Sequence, residues 1–122
     1  MAEQEKIVYI STNGAENPEK ASLPFVLANA AMVMEVETLV VLQGAAVFLA
    51  KKGCLQHVHA AGFAPLKELV ESFFEQGGRL GICVPCIQER KIDEADLIEN
   101  TELIAGGALT EELISANATL VY

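Results

Sequence analysis

Two cysteines, Cys83 and Cys86, flank a Val-Pro pair in the segment GICVPCIQER (81–90), and the 122-residue chain holds one other cysteine, Cys54. A thiol pair at this spacing can supply a nucleophilic thiolate, close a disulfide if the Cα atoms come within range, or form half of a metal site. The further ligands of the right type are Cys54, His57 and His59. His57 and His59 point the same way only if their segment is extended. They are read as loop histidines, and no metal and no cofactor are expected.

The elements that must position these thiols are legible from pattern and punctuation. KIVYIS, Lys6 to Ser11, is a β-branched and aromatic run ending in the polar stretch TNGAEN, which predicts a buried strand feeding a loop. Asn17-Pro18 offers a cap and a first-turn proline for a helix. Leu23, Val26, Leu27, Ala30, Ala31 and Met34 recur at helical steps and are expected to form its buried stripe. Pro24 removes a backbone donor, so the regular helix is expected from Ser22.

TLVVL, Thr38 to Leu42, lacks polar alternation and reads as a strand covered on both faces. Gly44 to Lys52 reads as a short helix stopped by Gly53, and Cys54 to Ala64 as a loop. Pro65 opens a helix with Leu66, Leu69, Val70 and Phe73 on one face, ended by Gly77-Gly78. Arg79 to Val84 is the third strand and delivers the cysteine pair. A fourth strand is expected at Glu102 to Ala105, with Gly106-Gly107 as the turn after it. A helix at Thr110 to Asn117 and a last strand at Thr119 to Tyr122 complete the series. Strands alternating with helices predict an α/β fold, a three-layer α/β/α sandwich with a mainly parallel five-stranded sheet and a flavodoxin-like architecture. One domain, residues 1–122, is expected from the length. Loops after the strand ends, Ser11 to Asn17, Gly44 onward and Cys83 to Arg90, are where such sheets react.

Cys83 closes a strand and Pro85 is placed to start a helix, so both sulfurs are expected near a helix start whose unpaired N–H groups favour the thiolate. The competing reading is that free cysteines pack as small hydrophobes. CVPC resembles the thioredoxin motif, but it lies late in the chain and no proline follows Pro85, which argues against that fold. STNG, Ser11 to Gly14, resembles a flavodoxin phosphate loop. Glu16 would repel a phosphate there, the chain has no Trp, and Tyr9 and Tyr122 are its tyrosines.

A net charge of -9, with Lys51-Lys52 and Arg90-Lys91 as the adjacent basic pairs, argues against nucleic acid, whose binding rests on clustered Lys and Arg. The uncharged runs Ala21 to Met34 and Thr38 to Ala50 fall short of the roughly 18 residues of a membrane span. MAEQEK lacks the basic and apolar start of a signal peptide, and a cytoplasmic protein is expected. An odd number of cysteines there points to reactive or metal-binding thiols rather than a disulfide framework.

With strand order and site in view, the chain resembles the DsrE/DsrF-like family of small sulfur-relay proteins, of the TusD type. The resemblance rests on Lys6 to Met34, LVVLQGAAVFLAKKG (39–53), GGRLGICVPCIQERKI (77–92) and LIAGGALTEELISA (103–116). It implies a sulfur carrier or sulfurtransferase in which Cys83 holds sulfur as a persulfide, with sulfur donor and acceptor proteins as partners. It also implies a homo-oligomer, trimer or hexamer, which a mean hydropathy of +0.33 fits. Cys86 and Gln88-Glu89-Arg90-Lys91 depart from the small residues and Arg-Arg-Gly segment of the TusD pattern. A second thiol could attack a persulfide on Cys83 or take over as carrier, so both cysteines are candidate catalytic residues. Arg90 and Lys91 are candidates to attract an anionic donor. The alternatives are a dithiol-disulfide oxidoreductase using the same pair and a non-catalytic oligomeric binding module.

Overall fold

The computed structural model describes residues 4–122. Five strands form one parallel sheet: β1 (Lys6–Ser11), β2 (Glu37–Leu42), β3 (Arg79–Cys83), β4 (Thr101–Ile104) and β5 (Ala118–Val121), ordered β4-β3-β2-β1-β5. The helices are α1 (Pro18–Val33), α2 (Leu66–Glu75), α3 (Val84–Glu89) and α4 (Gly106–Ser115). From β1 to β4 the chain steps outward in one direction, and right-handed crossovers then place α1, α2 and α3 on one face. The return from β4 to β5, on the far side of β1, reverses the direction and puts α4 on the opposite face. This is the three-layer α/β/α arrangement expected.

The α1–α2 face holds the larger core. Tyr9, Val40, Leu42, Leu80 and Ile82 of the sheet meet Phe25 and Ala28 of α1, Leu66, Val70 and Phe73 of α2, and Ile87 of α3. Phe25 and Phe73 meet edge to face with centroids 5.4 Å apart. On the other face Val8, Ile10, Leu39, Val41 and Ile104 are covered by Leu109, Leu113 and Ala116. β2 is therefore covered on both faces, as its unbroken apolar run requires.

Several boundaries and one face differ from expectation. Asn17 caps α1, its Oδ1 accepting from the Lys20 N–H at 3.1 Å, and the helix runs through Pro24 rather than starting at Ser22. Its buried residues are Ala21, Ser22, Pro24, Phe25, Ala28 and Ala31, so of the expected stripe Ala31 alone is buried, Leu23 and Val26 are partly buried, and Leu27, Ala30 and Met34 are exposed. The helix is apolar on two faces, and the small alanines win the sheet side because they allow a close approach. Gly44–Ala50 is a 3-10 helix rather than an α-helix, and a further 3-10 turn, Leu55–His57, lies within the expected loop. Gly106 and Gly107 form the first turn of α4 instead of a free turn, since the chain must begin crossing back as soon as β4 ends. No helix is long and apolar enough to cross a membrane among the described residues.

Candidate functional site

The carboxyl ends of the three central strands lie level, because Ser11 pairs with Leu42 and Leu42 with Ile82 in register. The loops that follow them share one edge of the sheet. After β1, the Gly14 N–H donates to both oxygens of the Glu16 carboxylate, at 2.8 and 3.0 Å, so this loop is occupied by its own anion rather than shaped for a phosphate. A Cβ on Gly14 would lie 2.7 Å from the Ala45 carbonyl oxygen, so glycine is what lets the first loop pass this close to the second. The Gln43 N–H, donating to the Ser11 carbonyl at 2.9 Å, ties the same two segments.

The third loop is the cysteine turn. Cys83 ends β3 and caps α3, and Pro85 sits in the first turn, where its missing N–H costs nothing. Cys86 follows at the third helical position, beside Cys83. Both cysteines are half-buried against the α1–α2 core. Gly44, held at φ +55° where a side chain would be strained, donates its N–H to Cys86 Sγ at 3.3 Å. Arg90 donates from Nη1 to the Cys86 carbonyl at 3.3 Å, so the guanidinium stays beside the pair.

The electrostatics correct one expectation. Burial first, and then the Cys86 side chain, push the Cys83 thiol above the ordinary range, and the Cys86 backbone N–H and the Arg90 charge pull it down by less. Burial therefore opposes a standing thiolate at Cys83.

The other sequence candidates are placed elsewhere in the molecule. Cys54 begins the turn at Leu55–His57, and burial raises its thiol too. His59 donates from Nε2 to the Phe63 carbonyl at 2.9 Å, and His57 is exposed. Among the described residues no group of three His, Cys, Asp or Glu side chains converges to hold a metal. Lys91 is exposed in the left-handed turn that ends α3. The Gly44 donor was hidden in the sequence, where the glycine reads only as a loop start; its role depends on a contact spanning 42 positions.

The family model described as the DsrE/DsrF-like family matches residues 5–122. The chain belongs to the DsrE/DsrF-like family. That family is associated in general with sulfur relay. An uncharacterized protein of Methanocaldococcus jannaschii is 27% identical over 118 residues, which make up 97% of this chain and 43% of that protein. The chain thus spans less than half the length of that curated relative. Among solved structures, the YchN protein from E. coli superposes with a TM-score of 0.81 at 21% identity, covering 98% of this chain and all of that one. A protein of unknown function from Methanobacterium thermoautotrophicum gives a TM-score of 0.75 at 14% identity, over 98% of this chain and 100% of its own. These likenesses establish the shared DsrE-like fold.

Proposed function

We propose that this protein is a sulfur carrier, or sulfurtransferase, in an intracellular, cytoplasmic sulfur relay. The observation that carries the reading is the half-buried Cys83–Cys86 pair at the carboxyl edge of the sheet, with the Gly44 N–H aimed at one sulfur and Arg90 beside the other. In the carrier step, a cysteine thiolate attacks the outer sulfur of a donor persulfide. The donor leaves as a thiolate and the cysteine becomes a persulfide; an acceptor protein thiolate then takes the outer sulfur by the same exchange. Backbone N–H groups and Arg90 suit the persulfide anion, because charge-assisted hydrogen bonds exceed neutral ones in strength. Partial burial, which opposes a bare thiolate at Cys83, also shields the loaded sulfur from loss to solvent.

The carrier works as a homo-oligomer, trimer or hexamer, in this reading. Support comes from α1, whose outer face leaves Leu27 38% and Met34 76% exposed, and from β5, whose residues are all exposed.

Intact-protein mass spectrometry after incubation with thiosulfate, polysulfide or a persulfidated carrier tests the function. A reductant-sensitive gain of whole sulfur atoms that disappears in Cys83→Ser or Cys86→Ser supports the carrier. Loss of two hydrogens with no sulfur uptake favours the dithiol-disulfide oxidoreductase, a reading that the adjacency of the two thiols supports.

A further inference from the structure

We propose that Cys86 resolves a persulfide on Cys83, releasing sulfide and closing a Cys83–Cys86 disulfide, with Gly44 as the residue that positions the attacking sulfur. This inference rests on the carrier reading and adds an activity to it, the reduction of sulfane sulfur when no acceptor arrives.

The geometry is specific to this turn. Cys83 at the cap and Cys86 at the third position of α3 have the spacing of a helix start, which sets Cα atoms about 5–6 Å apart, inside the range a disulfide spans. Their side chains are already neighbours. Cys86 Sγ is held from outside the helix by the Gly44 N–H at 3.3 Å, so it does not need to search for its position. The donor N–H also stabilises the negative charge that an attacking thiolate carries. Gly44 can place its N–H there because it adopts φ +55°, and the first loop passes so close to the neighbouring Ala45 carbonyl at Gly14 that a side chain there would clash with it.

The chemistry balances within the pair. The Cys86 thiolate attacks the inner sulfur of the Cys83 persulfide, and the bond between the inner and outer sulfurs breaks. The outer sulfur leaves as hydrosulfide with that bond's electron pair, and a Cys83–Cys86 bond replaces it. The sulfane sulfur is reduced by two electrons and the two cysteines are oxidised by two. An external dithiol reductant then restores the pair by thiol-disulfide exchange. Transfer to an acceptor and closure by Cys86 therefore compete for the same loaded state.

The test loads wild type, Cys83→Ser, Cys86→Ser, Cys86→Ala and Gly44→Ala with inorganic polysulfide, removes the excess, and follows intact mass and free sulfide over time. Wild type is expected to lose its added sulfur, end two hydrogens lighter than the reduced protein, and release about one sulfide per disulfide formed. Both Cys86 variants should keep the persulfide on Cys83 at least about tenfold longer, so that failure of one to fold does not decide the matter. Gly44→Ala, once loaded, should close its disulfide more slowly than wild type. Equal sulfide release by wild type and a folded Cys86 variant, or loading that vanishes with Cys86 but survives in Cys83→Ser, overturns the assignment while leaving the carrier reading intact. Uptake by none of the proteins defeats the carrier reading and this inference together.

Discussion

Arg79, the first residue of β3, grips Glu112 of α4 with both ends of its guanidinium, Nη1 to Oε1 at 3.2 Å and Nη2 to Oε2 at 2.7 Å. The same guanidinium reaches Glu102 of β4, and the half-buried Glu112 also receives Lys6 Nζ from β1. This network lies at the amino edge of the sheet, opposite the thiols. It fastens α4, a helix that buries no residue completely, over the smaller core.

The network makes stability acid-sensitive. Hydrogen bonds from Arg79 and then Lys6 hold the Glu112 carboxyl well below the usual range, at about 2. The folded pKa lies below the unfolded one, so its contribution is complete above about pH 4.5 and fades as the pH falls toward 2. Arg79 and Glu102 are a third or more exposed, and screening reduces the contribution to about 1–2 kcal/mol. Glu112→Gln should lower stability at pH 7 by that amount and flatten the pH dependence of urea unfolding between pH 4.5 and 2. An unchanged acid limb would remove Glu112 as its source.

Thiol reactivity follows from the Cys83 environment. Burial and the Cys86 side chain raise its thiol, so alkylation by iodoacetamide at pH 7 should run several-fold slower than for a free cysteine. Cys86→Ala removes one raising influence and should move the midpoint of the rate-pH profile down. Arg90→Ala removes a lowering influence and should move it up. A midpoint indifferent to both substitutions would contradict the environment described.

Much of this architecture was legible in the chain. The apolar runs at β1 and β2, the Asn17 cap and the CVPC turn each carry a local signal, and local signals survive without tertiary context. What could not be read was the choice between two apolar faces of α1, because Leu27 and Met34 satisfy helical periodicity as well as Phe25 and Ala28 do. Close packing on a sheet selects the small-residue face, and periodicity contains no such preference. The thiol pair was visible and its surroundings were not: the burial that raises the Cys83 thiol and the Gly44 donor to Cys86 both need segments distant in sequence.

Gly14 couples the first loop to the thiol site. A methyl group there would sit 2.7 Å from a backbone oxygen of Ala45, which cannot rotate away as a side chain could. Gly14→Ala should cost about 1–3 kcal/mol by overpacking. It should also displace the Gly44 N–H, and so slow disulfide closure between Cys83 and Cys86 under a mild oxidant. Loss of stability with unaltered closure would separate the two loops functionally.

Thr38 offers the opposite case, a change that should help. Its Oγ1 is buried at the start of β2 with no hydrogen-bond partner among the described residues, and the residue is 2% exposed. Thr38→Val keeps the shape and β-branching while removing the unpaired hydroxyl, so stability should rise by about 1 kcal/mol. A lower midpoint of thermal unfolding would mean that the hydroxyl is satisfied in solution.

The proposed oligomer is tested at the outer face of α1. Leu23, Val26, Leu27, Ala30 and Met34 point away from the sheet, and among them Leu27 and Met34 are substantially exposed. A contiguous apolar face of this kind on a protein with net charge -9 is costly in water unless another surface covers it, and a second copy presents a matching one. Leu27→Glu combined with Met34→Glu adds like charges across any such contact without touching the core beneath. Sedimentation velocity should show an assembled wild type and a monomeric double variant, with unchanged far-UV circular dichroism and unchanged sulfur uptake at Cys83. A monomeric wild type would defeat the oligomer outright, and a double variant that still assembles would assign the interface to other surfaces, the exposed β5 edge first among them.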